Sequence, residues 1–302
     1  MTSLAQGSRF FDRRALSALA HMRFTTAHRV EGSYSGRHKS RQQGGAGEFV
    51  DFREYSGGED LRRLDWKLLA RTGKSFVRLH QEETNLVCML AIDASESMAF
   101  SGSKLRTGSK LEYAQFLTTA LSYIISLGQD QVGLAVLKSR LEDHLSPGGT
   151  SAHVMRIMEQ IEQIKTVATT QSAPGLRELF ERTTQRGVLL FVSDFLMEDL
   201  DETFAALRLF RHRGLEVLTL HLIHPEEETL PQGSSFRFEE MEKGGSLSCT
   251  PDEFRDDYQR RFSAHQAMVR QMTLAAGCDY RRISTSIPYL ESLGGFLMER
   301  SG

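Results

Sequence analysis

Long apolar runs are missing from this 302-residue chain, and so are most devices of a secreted or metal-clipped protein. No stretch of about 18 consecutive apolar residues exists, so nothing reads as a membrane-spanning helix. The first residues carry arginines without a following apolar core, which excludes a secretory signal of the usual design. Cysteine is scarce: Cys88, Cys249 and Cys278 are far apart, odd in number and include no C-x-x-C pair. They can build neither a disulfide framework nor a thiolate zinc site, and a reducing, cytoplasmic compartment is expected. Tryptophan occurs once, at Trp66. Charge of one sign is also lacking, with a formal net charge of −2, which argues against nonspecific binding to nucleic acid. No G-x-G-x-x-G follows an apolar run, which disfavours a dinucleotide-binding protein. The segment Arg71-Thr-Gly-Lys-Ser75 is no phosphate loop, because Leu68 stands where that loop needs its first glycine.

What the chain does have is alternation. Residues 86–93 form an apolar run that ends in Asp93, and residues 131–138, 188–192, 216–223 and 280–284 read as further strands. Between them the 3.6-residue apolar period predicts helices over residues 109–127, 150–166, 174–186, 200–213, 251–276 and 288–299. Residues 141–145 read as a short edge strand before a Pro147-Gly148-Gly149 turn. Strands and helices in this rhythm predict an α/β fold, a doubly wound, mostly parallel sheet in three layers, with an N-terminal appendage.

The expected organisation is a basic, partly flexible arm over residues 1–47, an appendage over 48–83 and the α/β domain over 84–302. The arm carries eight arginines and lysines against Asp12 and Glu31. An amphipathic helix is expected near residues 12–24 and a mobile loop over 32–47. In the appendage, an extended segment near 49–55 precedes a turn, a helix near 61–72 and a strand over 75–83. Trp66 is expected to anchor this unit to the main body. Arg53, Asp60, Arg62, Asp65 and Arg71 could form an ion-pair network there or a docking surface. Residues 224–250, with two prolines, three glycines and an acidic cluster, read as an inserted surface loop, with a hairpin near 235–241.

Three loops carry the chemistry. The first is Asp93-x-Ser95-x-Ser97, at the carboxyl end of a buried strand, where open α/β sheets bind ligands. The second brings Thr150 forward on the turn that starts at Pro147, and the third is Ser193-Asp194. Asp93, Ser95, Ser97, Thr150 and Asp194 together offer two carboxylates and three hydroxyls, an all-oxygen set suited to hard Mg2+ or Mn2+. Neither Ser95 nor Ser97 has an evident base beside it, so neither reads as a nucleophile. Other groups read as structural: His221-x-x-His224 has no further ligand nearby, residues 102–110 make a basic solvated rim, and Glu226–Glu228 face solvent.

The same five positions resemble the metal-ion-dependent adhesion site (MIDAS) of von Willebrand factor A (vWA) domains. The stretch EFVDFREYSGGEDLRRLDWKLLART, leading into FVRLHQEE and the D-x-S-x-S strand, resembles the bacterial DUF58 family. That resemblance covers residues 48–205. It implies the short form of the family, without the two membrane helices that many members carry. It further implies a non-enzymatic, metal-dependent protein-interaction module. The metal would present an open position to a carboxylate of a protein partner, and the chain would act as an adaptor for a MoxR-type AAA+ ATPase. The competing reading is a metal-dependent hydrolase or phosphatase, which usually needs a second acid where Ser95 stands.

Overall fold

The computed structural model describes residues 8–12, 16–19, 21–26, 38–44, 48–56, 64–102, 108–168, 171–184, 186–230, 236–239, 246–249 and 254–301; for residues 38–44, 48–53, 78–84, 236–239, 246–249 and 301 it describes the backbone alone. The chain divides into two units, Thr26–Leu86 and the combination of Met1–Thr25 with Val87–Gly302.

In the smaller unit, strands β1 (His38–Gly44), β2 (Glu48–Glu54) and β3 (Phe76–Thr84) form an antiparallel sheet with β3 in the middle. The mobile loop expected over residues 32–47 thus contains a strand, since β3 offers an edge for pairing. Helix α1 (Trp66–Thr72) is shorter than expected. Asp65 caps its start, with Oδ1 accepting from the amides of Lys67 and Leu68 at 2.9 and 3.0 Å. Gly73 ends it at φ +71°, a left-handed conformation that suits glycine. Trp66 is 60% exposed. Asp65 is a helix cap, whereas Asp60, Arg62 and the Arg53 side chain lie outside the described residues.

The larger unit is built on a six-stranded sheet of order β11-β8-β7-β4-β5-β6. Its strands are β4 (Val87–Asp93), β5 (Gln131–Leu137), β6 (Leu141–Gly148), β7 (Val188–Ser193), β8 (Glu216–Ile223) and β11 (Asp279–Ser284). All pairings are parallel except that of β6 with β5. Burial on both faces explains the unbroken apolar runs of β4 and β7. On one face Met89, Ala91, Leu189 and Phe191 pack with residues of α4 (Ala173–Arg182), α5 (Leu200–His212) and α7 (Arg255–Ala275). The other helices of this unit are α2 (Lys110–Leu127), α3 (Ser151–Gln163) and α8 (Tyr289–Ser301), and α2 contacts both of the others. The expected fold class therefore holds: a doubly wound, mostly parallel α/β sheet.

Part of the basic, partly flexible arm expected over residues 1–47 is packed down. Phe10, Leu16 and Phe24 are buried, and Phe10 meets Phe116 of α2 edge-on at 4.8 Å. Its apolar residues, spaced through the basic ones, are what pack it down. Of the helix expected near residues 12–24, the described part holds a short helical turn at 16–19 and is irregular beyond it. The inserted region holds α6 (Pro225–Thr229) and a hairpin of β9 (Phe236–Glu239) with β10 (Ser246–Cys249), so the returning arm lies later than expected. No described helix is long and apolar enough to cross a membrane.

Candidate functional site

The sheet reverses its strand order at β4. Its first crossover leads to β5 on one side, and β7 then pairs on the other. Such a switch point opens a crevice at the strands' carboxyl ends. Asp93, the last residue of β4, and Asp194, just after β7, meet there, each almost fully buried. Asp93 Oδ1 accepts from the Ser95 amide at 2.9 Å, and Oδ2 accepts from the Ser193 hydroxyl at 2.6 Å. The 3-10 turn Glu96–Ala99 curls the chain so that the Ser95 and Ser97 hydroxyls lie 3.1 Å apart. The Ser97 hydroxyl also helps to hold Asp194 in its charged form. Asp194 Oδ1 accepts from the Leu196 amide at 3.0 Å. Between these, Phe195 takes φ +55°, unusual for a bulky residue. The strain is offset by complete burial of its ring, edge-on to Phe191 and stacked on Phe204.

Two functional residues escaped sequence reasoning. Lys110, the first residue of α2, has a fully buried side chain. Its ammonium donates to Asp194 Oδ2 at 2.6 Å and to Glu227 Oε1 of α6. The basic solvated rim expected at Lys110 and the solvent-facing loop expected at Glu227 are corrected by the burial of both. A signal existed: Lys110 stands four residues before Ala114 and seven before Leu117, on the apolar stripe of its helix. Glu227 stands three residues after His224, the spacing of a capping box. Its Oε2 accepts from the His224 amide at 2.9 Å, while His224 Nδ1 accepts from the Glu226 amide at 3.2 Å.

The charges interact strongly. Burial, reinforced by Asp194, pushes the Asp93 carboxyl up to about 6, against the pull of its bonds from Ser193 and Ser95. Burial would also raise Asp194, but the adjacent Lys110 ammonium reverses this and holds it below the usual carboxylate range. Burial raises Glu227 despite its contact with Lys110. For Lys110 itself, burial opposes the charged form, and Asp194 and Glu227 together overcome it.

Thr150 is the expected ligand that the fold places elsewhere. Antiparallel β6 returns to the edge where β5 begins: Gly148 lies opposite Val132, whereas Asp93 lies opposite Leu137 at the other end of β5. Thr150 is exposed there and caps α3, accepting from the His153 amide at 3.2 Å. The expected turn at Pro147 is strand instead, and an edge strand tolerates the proline. The segment that does reach the Asp93 loop follows α3. The Val167 amide donates to the Ala94 carbonyl at 3.0 Å, and Val167 bridges to Ser95. His221 and His224 have structural partners. His221 Nδ1 lies 2.9 Å from the Tyr280 hydroxyl, and burial pushes its ring down to about 3. His224 caps α6 and meets Phe100 edge-on.

Among the described residues no group of three or more His, Cys, Asp or Glu forms a metal cage. The oxygen set has a different fit. Adjacent ligands of an octahedral ion at about 2.1 Å are about 3.0 Å apart, which the Ser95–Ser97 separation of 3.1 Å matches. Asp93 and Asp194 are held by protein donors. The four residues at the switch point could hold a hard dication; Thr150 is not among them.

Comparison with known proteins gives relatives and a family. The chain is 26% identical, over 96% of its length and 90% of theirs, to uncharacterized proteins of Mycobacterium bovis and Mycobacterium tuberculosis. Among solved structures it is similar to the conserved hypothetical protein BatB from Bacteroides thetaiotaomicron, at 17% identity and TM-score 0.44, over 72% of this chain and 99% of that one. The VWA domain of SpRpn10 is similar over 70% of this chain and 94% of its own, at 14% identity and TM-score 0.40. The model of the family described as "Protein of unknown function DUF58" matches residues 51–268, and the chain belongs to that family.

Proposed function

We propose that the chain is a non-enzymatic protein-interaction module that binds a partner's carboxylate through Mg2+ or Mn2+ held at Asp93, Ser95, Ser97 and Asp194. The observation that carries this reading is the pair of hydroxyls 3.1 Å apart, flanked by two buried carboxylates at the switch point. Neutral hydroxyl ligands leave most of a dication's charge uncompensated, so an incoming carboxylate is a favourable further ligand. A hydrolytic role finds less support, since the described partners of the Ser95 and Ser97 side chains are each other and the two aspartates, with no imidazole or amine as base. The partner implied by the family resemblance is a MoxR-type AAA+ ATPase, for which the chain would serve as adaptor.

The test is recovery of partners on the tagged full chain with Mg2+ or with EDTA. An AAA+ ATPase retained only with the metal, and lost with Asp93→Ala, supports the reading. Metal-dependent turnover of a generic phosphoester, abolished by the same substitution, would overturn it.

A further inference from the structure

A buried lysine touching a candidate metal-site carboxylate is a second cation competing for the same charge. Lys110 is fully buried and its ammonium is 2.6 Å from Asp194 Oδ2. Asp194 in turn is favoured in its charged form by Ser97, one of the two hydroxyls that would touch the ion. The ammonium also bonds Glu227, which reaches no hydroxyl of the pair and is itself fixed by the His224 amide at 2.9 Å. A line of contacts therefore runs from the hydroxyl pair through Asp194 and Lys110 to Glu227 on α6.

We propose that Lys110 and Glu227 tune the affinity of this site for a divalent cation from outside its ligand shell. The inference rests on the cation reading above. Lys110 draws charge from Asp194 and lowers affinity; Glu227 neutralises part of Lys110 and restores it. In a buried cluster of low effective dielectric, removing one such charge a few ångströms from the ion changes affinity by about tenfold or more. Glu227, which touches no ligand atom of the ion, is then a positioning residue with an electrostatic signature. A purely structural triad lacks that signature, because breaking it from either side only loosens the site.

The sign of the effect is the test. Mn2+ binding to the full chain is titrated by electron paramagnetic resonance in the native protein, in Glu227→Gln and in the double variant Lys110→Met with Glu227→Gln, with calorimetry confirming that each is folded. The double variant avoids leaving two buried carboxylates unpaired. Expected is binding about tenfold weaker in Glu227→Gln and at least as tight as native in the double variant. Equal affinity in all three, or a double variant no tighter than Glu227→Gln, overturns the inference and leaves the cation reading intact. Binding seen only in the double variant supports the inference and overturns the reading that the native chain uses a metal. No binding in any of the three overturns both.

Discussion

Two cations tie the larger unit together, fully buried Lys110 and partly buried Arg300, and their surroundings differ in charge. Arg300 of α8 pairs with buried Glu216, donates to the Thr25 carbonyl at 2.6 Å, and lies over the Phe24 ring. One cation meets one buried acid there, with the exposed Asp279 carboxylate 3.9 Å away, and the product is a latch for the N-terminal segment. Lys110 instead sits in a cluster with three buried acids: Asp194 and Glu227 in contact, and Asp93 next to Asp194. When all three are ionised the cluster keeps two negative charges that no described residue neutralises. Buried charge is costly unless compensated, so a compensated pair reads as architecture, whereas a cluster with excess negative charge fits the dication site proposed above.

Removing each cation breaks the comparison most severely. Lys110→Met strands two buried carboxylates and is expected to cost about 3–5 kcal/mol of stability. Arg300→Met strands one, and about 2–3 kcal/mol is expected. Urea unfolding of both variants measures the gap, and equal losses would remove the distinction between the clusters.

The pH dependence of unfolding sharpens it next. The Asp93 carboxyl lies at about 6 in the fold, against an ordinary value of 3.8. In the window between those values the folded protein binds the proton more tightly than the unfolded chain does. Protonated Asp93 therefore stabilises the fold at low pH, and this stability is lost as pH rises from about 4 to about 6, by roughly 2–3 kcal/mol in EDTA. Asp93→Asn is expected to flatten that part of the profile. An unchanged slope would show that Asp93 carries no uncompensated charge.

The smallest effect belongs to the residue that moved. Thr150→Ala is expected to cost about 1 kcal/mol through its lost helix cap and to leave divalent-cation binding unchanged. A loss of cation binding in this variant would return Thr150 to the site.

The alternation of strands and helices was legible because burial on both faces leaves unbroken apolar runs in β4 and β7. Asp93, Ser95, Ser97 and Asp194 were legible because the ends of such runs mark the functional edge of the sheet. Thr150 was misplaced because its position depends on the direction of β6, and an antiparallel edge strand reads the same as a parallel one along the sequence. Lys110 and Glu227 were missed for another reason. A single charged residue on an apolar stripe is ordinary, and only the fold brings Glu227 117 positions along the chain to Lys110. The N-terminal segment was taken for a solvated arm on its arginine count, although Phe10, Leu16 and Phe24 decide its burial.

The most direct measurement of the central claim is the melting temperature of the full chain at pH 7, titrated with Mg2+, for the native protein and for Asp93→Asn. A ligand that binds only the folded state stabilises it by about 2.7 kcal/mol at one hundred times its dissociation constant. The account predicts a melting temperature that rises with Mg2+ in the native chain, and a much reduced rise in Asp93→Asn. A native chain indifferent to Mg2+, or a rise that the substitution leaves untouched, would contradict it.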